Sequence, residues 1–306
     1  MERNLKELIS QMTLEEKAGM CSGLDFWNLK GVERLGIPSV MVSDGPHGLR
    51  KQDDKADHLG INDSIKAVCF PPAVLSACSF DRDLLETLGE TVGDEAQATD
   101  LSVVLGPAVN IKRSPLCGRN FEYYSEDPYL AGESAAAFIK GVQSRHVGTS
   151  IKHFAANNQE DNRMFTNAHI SERALREIYL KGFEIAVKTA QPYAIMTSYN
   201  LINGTHAANH YDMLQNVARD EWGFEGFIMT DWYTSQDTTA LGMVSESGKY
   251  SYSDGVQCIK AGNDLQMPGC RKNVEDIVDG VKNGRITKAD LQRCAKHILG
   301  IALKTI

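Results

Sequence analysis

The stretch GFIMTDW, residues 226–232, decides how the rest of the sequence is interpreted. Its apolar run is typical of a buried strand, and it ends on Asp231, which a tryptophan follows at once. A charge at the carboxyl end of a buried parallel strand lies where α/β barrels build their active sites. An aspartate beside an indole also suits sugar chemistry, with an anion for the anomeric carbon and a flat face for the ring. The alternative is that Asp231 only caps the next helix.

Similar runs recur along the chain and alternate with amphipathic helices. They predict further strands at residues 39–43, 73–77, 101–105, 149–153, 193–199 and 264–267. Such βαβ alternation gives a parallel sheet, for which closure into a barrel is the best solution. With 226–231 this makes seven strands, so either residues 242–255 supply the eighth or the barrel is irregular. We therefore predict an α/β fold, a TIM-type (β/α)8 barrel formed by residues 1–306 as one domain, with one strand missing or reversed.

Three helices carry clear sequence signals. Thr13 with Glu16 three residues later forms a capping box. Ser171 is predicted to be the N-cap of a helix that runs to about Lys188. Helical spacing predicts that this helix has one buried stripe, made of Leu175, Ile178, Tyr179, Phe183, Ala186 and Val187. The last helix is predicted to start near Thr287.

Composition excludes several classes of function. With 306 residues, 42% hydrophobic and 24% charged, the chain can bury a substantial core. A net charge of -8 without a basic stretch argues against nucleic acid, and no apolar run approaches the ~20 residues of a membrane span. The absence of a signal-peptide pattern and of Cys-x-x-Cys pairs predicts a cytoplasmic protein with reduced thiols. The glycine patterns of nucleotide-binding loops are missing, so no nucleotide cofactor is expected. His206 and His210 could form a metal pair if they lay on a helix, but the sequence around them favours a loop, so no metal is expected either.

Charged and hydrogen-bonding residues follow five of the predicted strands. Singly they have plain explanations: surface charge for the arginines, snorkelling for a lysine and a structural role for a histidine. Their concentration on one rim favours a polyol or sugar site, where carboxylates accept from hydroxyls and cations donate to them. The candidate residues are Asp44, Arg50, Arg119, Lys152, His153, Met196, Tyr199, Asp231 and Trp232.

Four ordered motifs carry a family resemblance. They are Ser-Asp-Gly-Pro-x-Gly-Leu-Arg at 43–50, Gly-Arg-Asn-Phe-Glu at 118–122 with Ser-Glu-Asp-Pro at 125–128, Lys-His-Phe-Ala at 152–155, and Met-Thr-Asp-Trp at 229–232. Together they resemble the N-terminal catalytic barrel of the β-glucosidases of glycoside hydrolase family 3. The resemblance runs from the first helix to the last. It implies hydrolysis of terminal non-reducing β-D-glucosyl or related β-glycosyl residues, with β-linked glucosides or oligosaccharides as substrates.

The resemblance also implies residue roles. Asp231 would be the nucleophile of a retaining mechanism. Asp44, Arg50, Arg119, Lys152 and His153 would hold the hydroxyls of the terminal sugar, and Met196, Tyr199 and Trp232 would complete its subsite. In such proteins Lys152 and His153 both face the sugar, whereas strand neighbours normally face opposite ways. We therefore predict strained or cis backbone between Lys152 and Ala155.

The second carboxyl group of the mechanism is where the chain departs from the family. In two-domain members the acid/base glutamate comes from a second α/β domain, for which these 306 residues leave no room. The loop at 152–161 resembles that of two-domain members rather than the histidine loop of single-domain ones. We therefore expect the acid/base to be missing, with Glu122, Glu160 or Asp161 as local alternatives. A homo-oligomer or a complementary domain would cover the exposed face of the barrel, and the competing hypothesis is a sugar-binding or scaffold barrel that is inactive alone.

Overall fold

A curved, largely parallel sheet forms the centre of the computed structural model, which describes residues 5–52 and 62–305. Its strands follow one another in chain order, and all neighbouring pairs are parallel except the first pair. A second, three-stranded sheet stands apart from it. The strands are β1 Asn28–Leu29, β2 Val40–Asp44, β3 Val103–Leu105, β4 Gly148–Phe154, β6 Ala194–Thr197 and β9 Phe227–Thr230 in the first sheet, and β5 Asn167–Ala168, β7 Leu201–Ile202 and β8 Thr205–His206 in the second.

Two short segments close the first sheet into a ring. Leu265 bridges β9 in parallel, the next residue bridges Ser22 in parallel, and Gly23 bridges β1 in antiparallel sense. Within the described residues the ring thus has eight segments: six strands and the bridging pairs 22–23 and 265–266. β1 runs against both of its neighbours. The prediction of an irregular (β/α)8 barrel with one reversed strand is confirmed.

One strand prediction was wrong, a second segment joins the barrel only through bridges, and of the two alternatives for the eighth strand the irregular barrel is the correct one. Residues 73–77 form a helix, Ala73–Ala77, whose N-cap is Pro72; a five-residue, mostly apolar run does not distinguish a buried strand from a helix. Residues 264–267 contribute only bridges rather than a ladder. Residues 242–255 contain no strand, because the eighth place in the ring is taken by 22–23, ahead of the first predicted strand.

Helices surround the barrel. The α-helices are α1 Leu5–Gln11, α2 Leu14–Met20, α3 Ala73–Ala77, α4 Arg82–Ala98, α5 Pro128–Ser144, α6 Glu172–Ala174, α7 Lys181–Ala190, α8 Gly255–Ala261, α9 Arg271–Lys282 and α10 Lys288–Ala302, and a π-helix, Asp212–Glu221, lies between β8 and β9. The predicted caps at Thr13 and Ser171 and the predicted helix start near Thr287 are confirmed, since each of these side chains accepts from a backbone N–H of the first turn. No helix in the described ranges is long and apolar enough to cross a membrane.

The helix predicted from Ser171 is interrupted. A π-helical turn, Leu175–Tyr179, separates α6 from α7. Ile178 lies within this wider turn and is exposed, whereas Leu180, directly after the turn, is buried instead. The buried stripe is therefore confirmed for Phe183, Ala186 and Val187, which lie in α7, and wrong for Ile178.

Side chains alternate between the two faces of the barrel wall. In β9, Phe227 and Met229 pack in the cluster that includes α1, α2 and α10, whereas Ile228 packs with residues of α5 and α7. Both faces are buried, as is usual for parallel strands under helices. At the base of the barrel the fully buried Asp264 accepts from the Ile228 amide and pairs with Arg219 and His297, at 2.7, 2.7 and 3.0 Å. This carboxylate ties α10 to the barrel wall.

Candidate active site

One cavity of about 550 Å³ opens at the carboxyl ends of the strands. β2 ends on one of its residues, β4 and β6 carry others, and Asp231 directly follows β9. Every candidate named from the sequence lines it: Asp44, Arg50, Arg119, Lys152, His153, Met196, Tyr199, Asp231 and Trp232. Strands that are parallel and in register bring their carboxyl ends to one rim, and this places residues from five parts of the chain together.

Asp231 is fixed in the wall of this cavity. Its Oδ1 accepts a hydrogen bond from the Trp232 amide at 2.7 Å, and its own amide donates to the Thr197 carbonyl at 3.2 Å. The Thr234 hydroxyl donates to the Asp231 carbonyl at 2.8 Å. The next helical turn, Thr239–Leu241, has Thr238 as its N-cap residue. Asp231 therefore does not cap a helix, and that alternative is wrong.

Asp44 forms ion pairs with two basic side chains. Its Oδ1 lies 3.4 Å from Lys152 Nζ, and its Oδ2 lies 3.5 Å from Arg50 Nη2. The Arg50 guanidinium also lies 5.9 Å from the centre of the Trp27 ring, within the range of a cation–π contact. These pairs place both a carboxylate and cations at one end of the cavity. Such a combination suits a ligand that both donates and accepts hydrogen bonds.

The backbone lets neighbouring residues face the same cavity. The peptide bonds Lys152–His153 and Phe154–Ala155 are both cis, so the prediction of unusual backbone between Lys152 and Ala155 is confirmed. Asn110 holds the turn from both sides: its Oδ1 accepts from the His153 amide at 2.8 Å and its Nδ2 donates to the His153 carbonyl at 2.9 Å.

Burial sets the protonation states. It raises the pKa of Asp231, and the positive charges of Arg119, Arg163 and Lys152 oppose this. Burial lowers the pKa of His153 well below its ordinary value, and the same three cations lower it further. Burial and the negative charge of Asp231 raise the pKa of Tyr199. The cavity therefore combines a neutral imidazole and a neutral phenol with a carboxylate held by positive potential.

Arg163 is a cavity residue that the sequence did not reveal. It lies in the loop after β4, where neither a strand end nor a motif marks it. Its guanidinium lies 4.7 Å from the centre of the Tyr199 ring, and its Nη1 lies 3.1 Å from Glu160. An apolar rim was also missed: Phe26, Trp27, Tyr233, Leu241 and Met243. The adjacent aromatic pair Phe26-Trp27 was a signal that could have been used.

Carboxyl groups are scarce in the cavity. Among residues 5–52 and 62–305, its lining contains two carboxylates, Asp44 and Asp231. The three local alternatives for an acid/base lie outside the lining: Glu122 pairs with Arg119, Glu160 pairs with Arg163, and Asp161 is exposed.

Metal ligands are equally scarce. No group of three or more His, Cys, Asp or Glu side chains in the described part of the chain could hold a metal ion. His206 instead approaches the carbonyl oxygens of Tyr199 and Ser251, at 3.2 and 2.7 Å.

Residues 32–301 match the family model described as Glycosyl hydrolase family 3 N terminal domain. The chain belongs to glycoside hydrolase family 3. It is 50% identical over 299 residues to thermostable β-glucosidase B of Acetivibrio thermocellus and 48% identical over 298 residues to an exo-α-(1→6)-L-arabinopyranosidase of Bifidobacterium breve. Each match covers 97% of this chain, which spans 37% of the length of either relative.

Solved structures of family 3 have the same fold. The structure of β-glucosidase 3B from Thermotoga neapolitana in complex with α-D-glucose is 39% identical, with a TM-score of 0.87. That match covers 99% of this chain and 43% of the other. β-Glucosidase from Kluyveromyces marxianus in complex with glucose is similar too, with a TM-score of 0.88 at 39% identity, over 99% of this chain and 34% of the other.

Proposed function

We propose that this family 3 barrel binds a terminal β-D-glucosyl residue and cleaves its glycosidic bond by a retaining mechanism, with Asp231 as the nucleophile. The observation that carries the proposal is a buried carboxylate held by positive potential in a cavity lined by hydroxyl-binding groups. The relatives named as β-glucosidases, and the glucose complexes of similar structures, support this substrate class.

Hydroxyl recognition follows from the charges of the cavity. The two oxygens of Asp44 accept from neighbouring sugar hydroxyls, while Lys152 and Arg50, which already approach those oxygens, donate to the same hydroxyls. Arg119 and the neutral His153 add further hydrogen bonds. Met196, Tyr199 and Trp232 form the walls, and Trp232 is held by a hydrogen bond from its Nε1 to the Phe26 carbonyl at 2.9 Å.

In the chemical step one bond to C1 forms and one bond to C1 breaks. An oxygen of Asp231 bonds to C1 of the sugar, and the electron pair of the C1–O bond leaves with the glycosidic oxygen. Water then attacks C1 and releases the sugar from the carboxylate with net retention. A natural leaving group also needs a proton, which in such enzymes comes from a second carboxyl group.

We propose that this acid lies outside the described barrel residues, on a complementary domain or on another subunit. Two carboxylates of the described chain line the cavity: Asp231 is the proposed nucleophile, and Asp44 is engaged by two cations. The relatives, of which this chain spans 37%, have ample additional length for such a domain.

An exposed apolar surface supports a docking partner beside the cavity. It lies on the segments that follow β2 and β3, and so on the same rim as the cavity, and it consists of Leu75, Phe80, Leu84, Leu116, Phe121 and Tyr129. The Val74 amide donates to the Phe121 carbonyl, and Arg82 pairs with Glu133 between α4 and α5, so these segments are neighbours. Exposed apolar residues grouped in this way are typical of an interface.

The test is covalent labelling with 2,4-dinitrophenyl 2-deoxy-2-fluoro-β-D-glucoside, because dinitrophenolate leaves without protonation. We expect a single adduct on the peptide that contains Asp231, and no adduct in Asp231→Asn. With unmodified glucosides, acidic phenols should be strongly preferred, since general acid catalysis typically contributes ~10²–10⁴-fold. Azide should accelerate turnover where release of the glycosyl group is limiting. An adduct on another residue would refute Asp231 as the nucleophile.

A second candidate is a sugar-binding barrel without turnover, which the shortage of carboxylates favours. It predicts that wild type and Asp231→Asn bind glucose equally, while wild type neither forms the adduct nor cleaves activated aryl glucosides. Aryl α-L-arabinopyranosides belong in the same assays, because a relative 48% identical is named for that sugar.

A further inference from the structure

Two glutamates lie behind the arginines of the cavity. Glu122 is buried and pairs with the Nε of Arg119. Glu160, whose side chain is 19% exposed, pairs with Arg163 at 3.1 Å. Both arginines line the cavity, whereas neither glutamate does. Each cation is therefore held from outside the cavity by an anion of its own.

The two pairs belong to one buried network. The Nδ2 of Asn157 donates to the Tyr123 hydroxyl and to Glu160, both at 2.9 Å. Tyr123 and Asn157 are almost completely buried, and Tyr123 directly follows Glu122. The loop after β3 and the loop after β4 are thus joined behind the cavity, so both arginines are supported by a common base.

In this arrangement the arginines stabilise the ionised Asp231 carboxylate electrostatically without pairing with it. Both arginines oppose the effect of burial on the pKa of Asp231. Among the described residues, however, their ion pairs are with the glutamates, and the basic side chain within 4.0 Å of the Asp231 carboxylate is the neutral His153. A direct arginine–carboxylate pair is often bidentate, and it would engage the lone pairs that must attack C1.

We propose that Glu122 and Glu160 are positioning residues that hold Arg119 and Arg163 back from Asp231. The carboxylate then stays ionised by through-space attraction while one oxygen remains available for nucleophilic attack. This inference rests on the proposed role of Asp231 as the nucleophile.

The test measures the rate of adduct formation with the dinitrophenyl 2-fluoroglucoside as a function of pH. In this step the bond from Asp231 to C1 forms and the aryl oxygen leaves with its electrons, so no acid is required. In Glu122→Gln and in Glu160→Gln the released arginine should pair with Asp231. We expect labelling about tenfold slower, equivalent to about 1.4 kcal/mol of barrier. The acid limb of the profile should move to lower pH, because a direct pair stabilises the ionised carboxylate.

Matched variants separate this role from a loss of structure. Glu221→Gln removes a partner of Arg176 in a pair that does not line the cavity, and it should keep the wild-type rate and profile. Glu122→Asp and Glu160→Asp keep the charge with a shorter reach, so their acid limbs should lie between those of wild type and the glutamine variants. If a glutamine variant does not fold, its aspartate counterpart decides the matter by the same shift.

Two results would overturn the inference while leaving the proposed function intact. One is a folded glutamine variant that is labelled at the wild-type rate with the wild-type profile. The other is a slower rate with an unshifted acid limb, which indicates a structural effect alone. A wild-type chain that is not labelled at all would instead overturn the proposed function, and this inference with it.

Discussion

The Nε2 atom of His153 lies 3.7 Å from Oδ2 of Asp231, with both side chains largely buried. Burial and three nearby cations hold the pKa of His153 well below its ordinary value, so the ring is neutral. The contact is therefore not an ion pair. The positive potential at Asp231 comes from Arg119, Arg163 and Lys152.

The pH dependence of labelling should show a single acid limb. Because burial raises the pKa of Asp231, the midpoint should lie above about 3.9, the ordinary value for an aspartate. No second inflection is expected from His153, since it stays neutral through this range. The measurement is the inactivation rate by the fluoroglucoside between acid and neutral pH. A second limb at about 6.5 that disappears in His153→Gln would contradict this.

Asp231→Asn should stabilise the protein at pH 7. A carboxyl group whose folded-state pKa is raised favours folding only below its unfolded pKa, and this contribution is lost as pH rises through the folded value. The ionised, buried carboxylate thus destabilises the fold at neutral pH. Its removal should increase the free energy of unfolding by about 0.5–2 kcal/mol in urea titrations.

The gain from Asp231→Asn should shrink toward pH 3, where the wild-type carboxyl group is protonated. Asp276→Asn, at an exposed pair with Lys272, is the control and should change stability little at either pH. A variant less stable than wild type at pH 7 would disprove the linkage.

Asp264→Ala should destabilise the fold strongly. Asp264 is fully buried and serves Arg219, His297 and the Ile228 amide, so its loss leaves uncompensated buried donors. The expected loss is about 3–5 kcal/mol, measured by urea unfolding at pH 7. Asp276→Ala is matched by its 2.7 Å pair with Lys272, but it is exposed and should cost below about 1 kcal/mol. Equal losses of unfolding free energy in the two variants would show that the buried network stabilises the fold no more than an exposed ion pair does.

Acid should weaken the Asp264 network. Burial by itself would raise the pKa of Asp264, but His297 and Arg219 lower it below the ordinary value. A lowered folded-state pKa stabilises the protein above the unfolded pKa, and this contribution is lost as pH falls through the folded one. The difference in the free energy of unfolding between wild type and Asp264→Ala should therefore become smaller as the pH is lowered.

The apolar rim should select the leaving group. Leu241 and Met243 line the cavity on the segment that follows Trp232, and Leu241 is 45% exposed. Leu241→Ala and Met243→Ala should raise KM for aryl glucosides by about 5–30-fold, corresponding to about 1–2 kcal/mol of lost apolar contact, and leave inhibition by glucose unchanged. Val244→Ala is the control, because Val244 is exposed in the same segment but does not line the cavity. Equal effects on glucose inhibition would place the rim in the sugar subsite.

Several features could be predicted because their signals are local. Thr13 and Thr287 cap helices through residues three positions away, and strand ends such as Asp44 and Asp231 stand directly after apolar runs. Residues 73–77 could not be assigned, because a short, mostly apolar run satisfies either periodicity. The exposure of Ile178 depends on a π-helical turn that helical spacing does not reveal.

Arg163 is a residue of the site that could not be predicted from the sequence. It reaches the cavity from within a loop, and its partner Glu160 and its aromatic neighbour Tyr199 determine where it lies. No apolar run or spacing marks such a position.

The sequence by itself determined the barrel class and the residues that reach its rim, because alternating apolar runs and helices require a parallel sheet whose carboxyl ends meet at one edge. Only the tertiary structure decided which charges pair. Arg119 and Arg163 engage glutamates rather than Asp231, and His153 is neutral. Ion pairing and protonation depend on distances of a few ångströms and on exclusion of water, and packing between distant parts of the chain sets both.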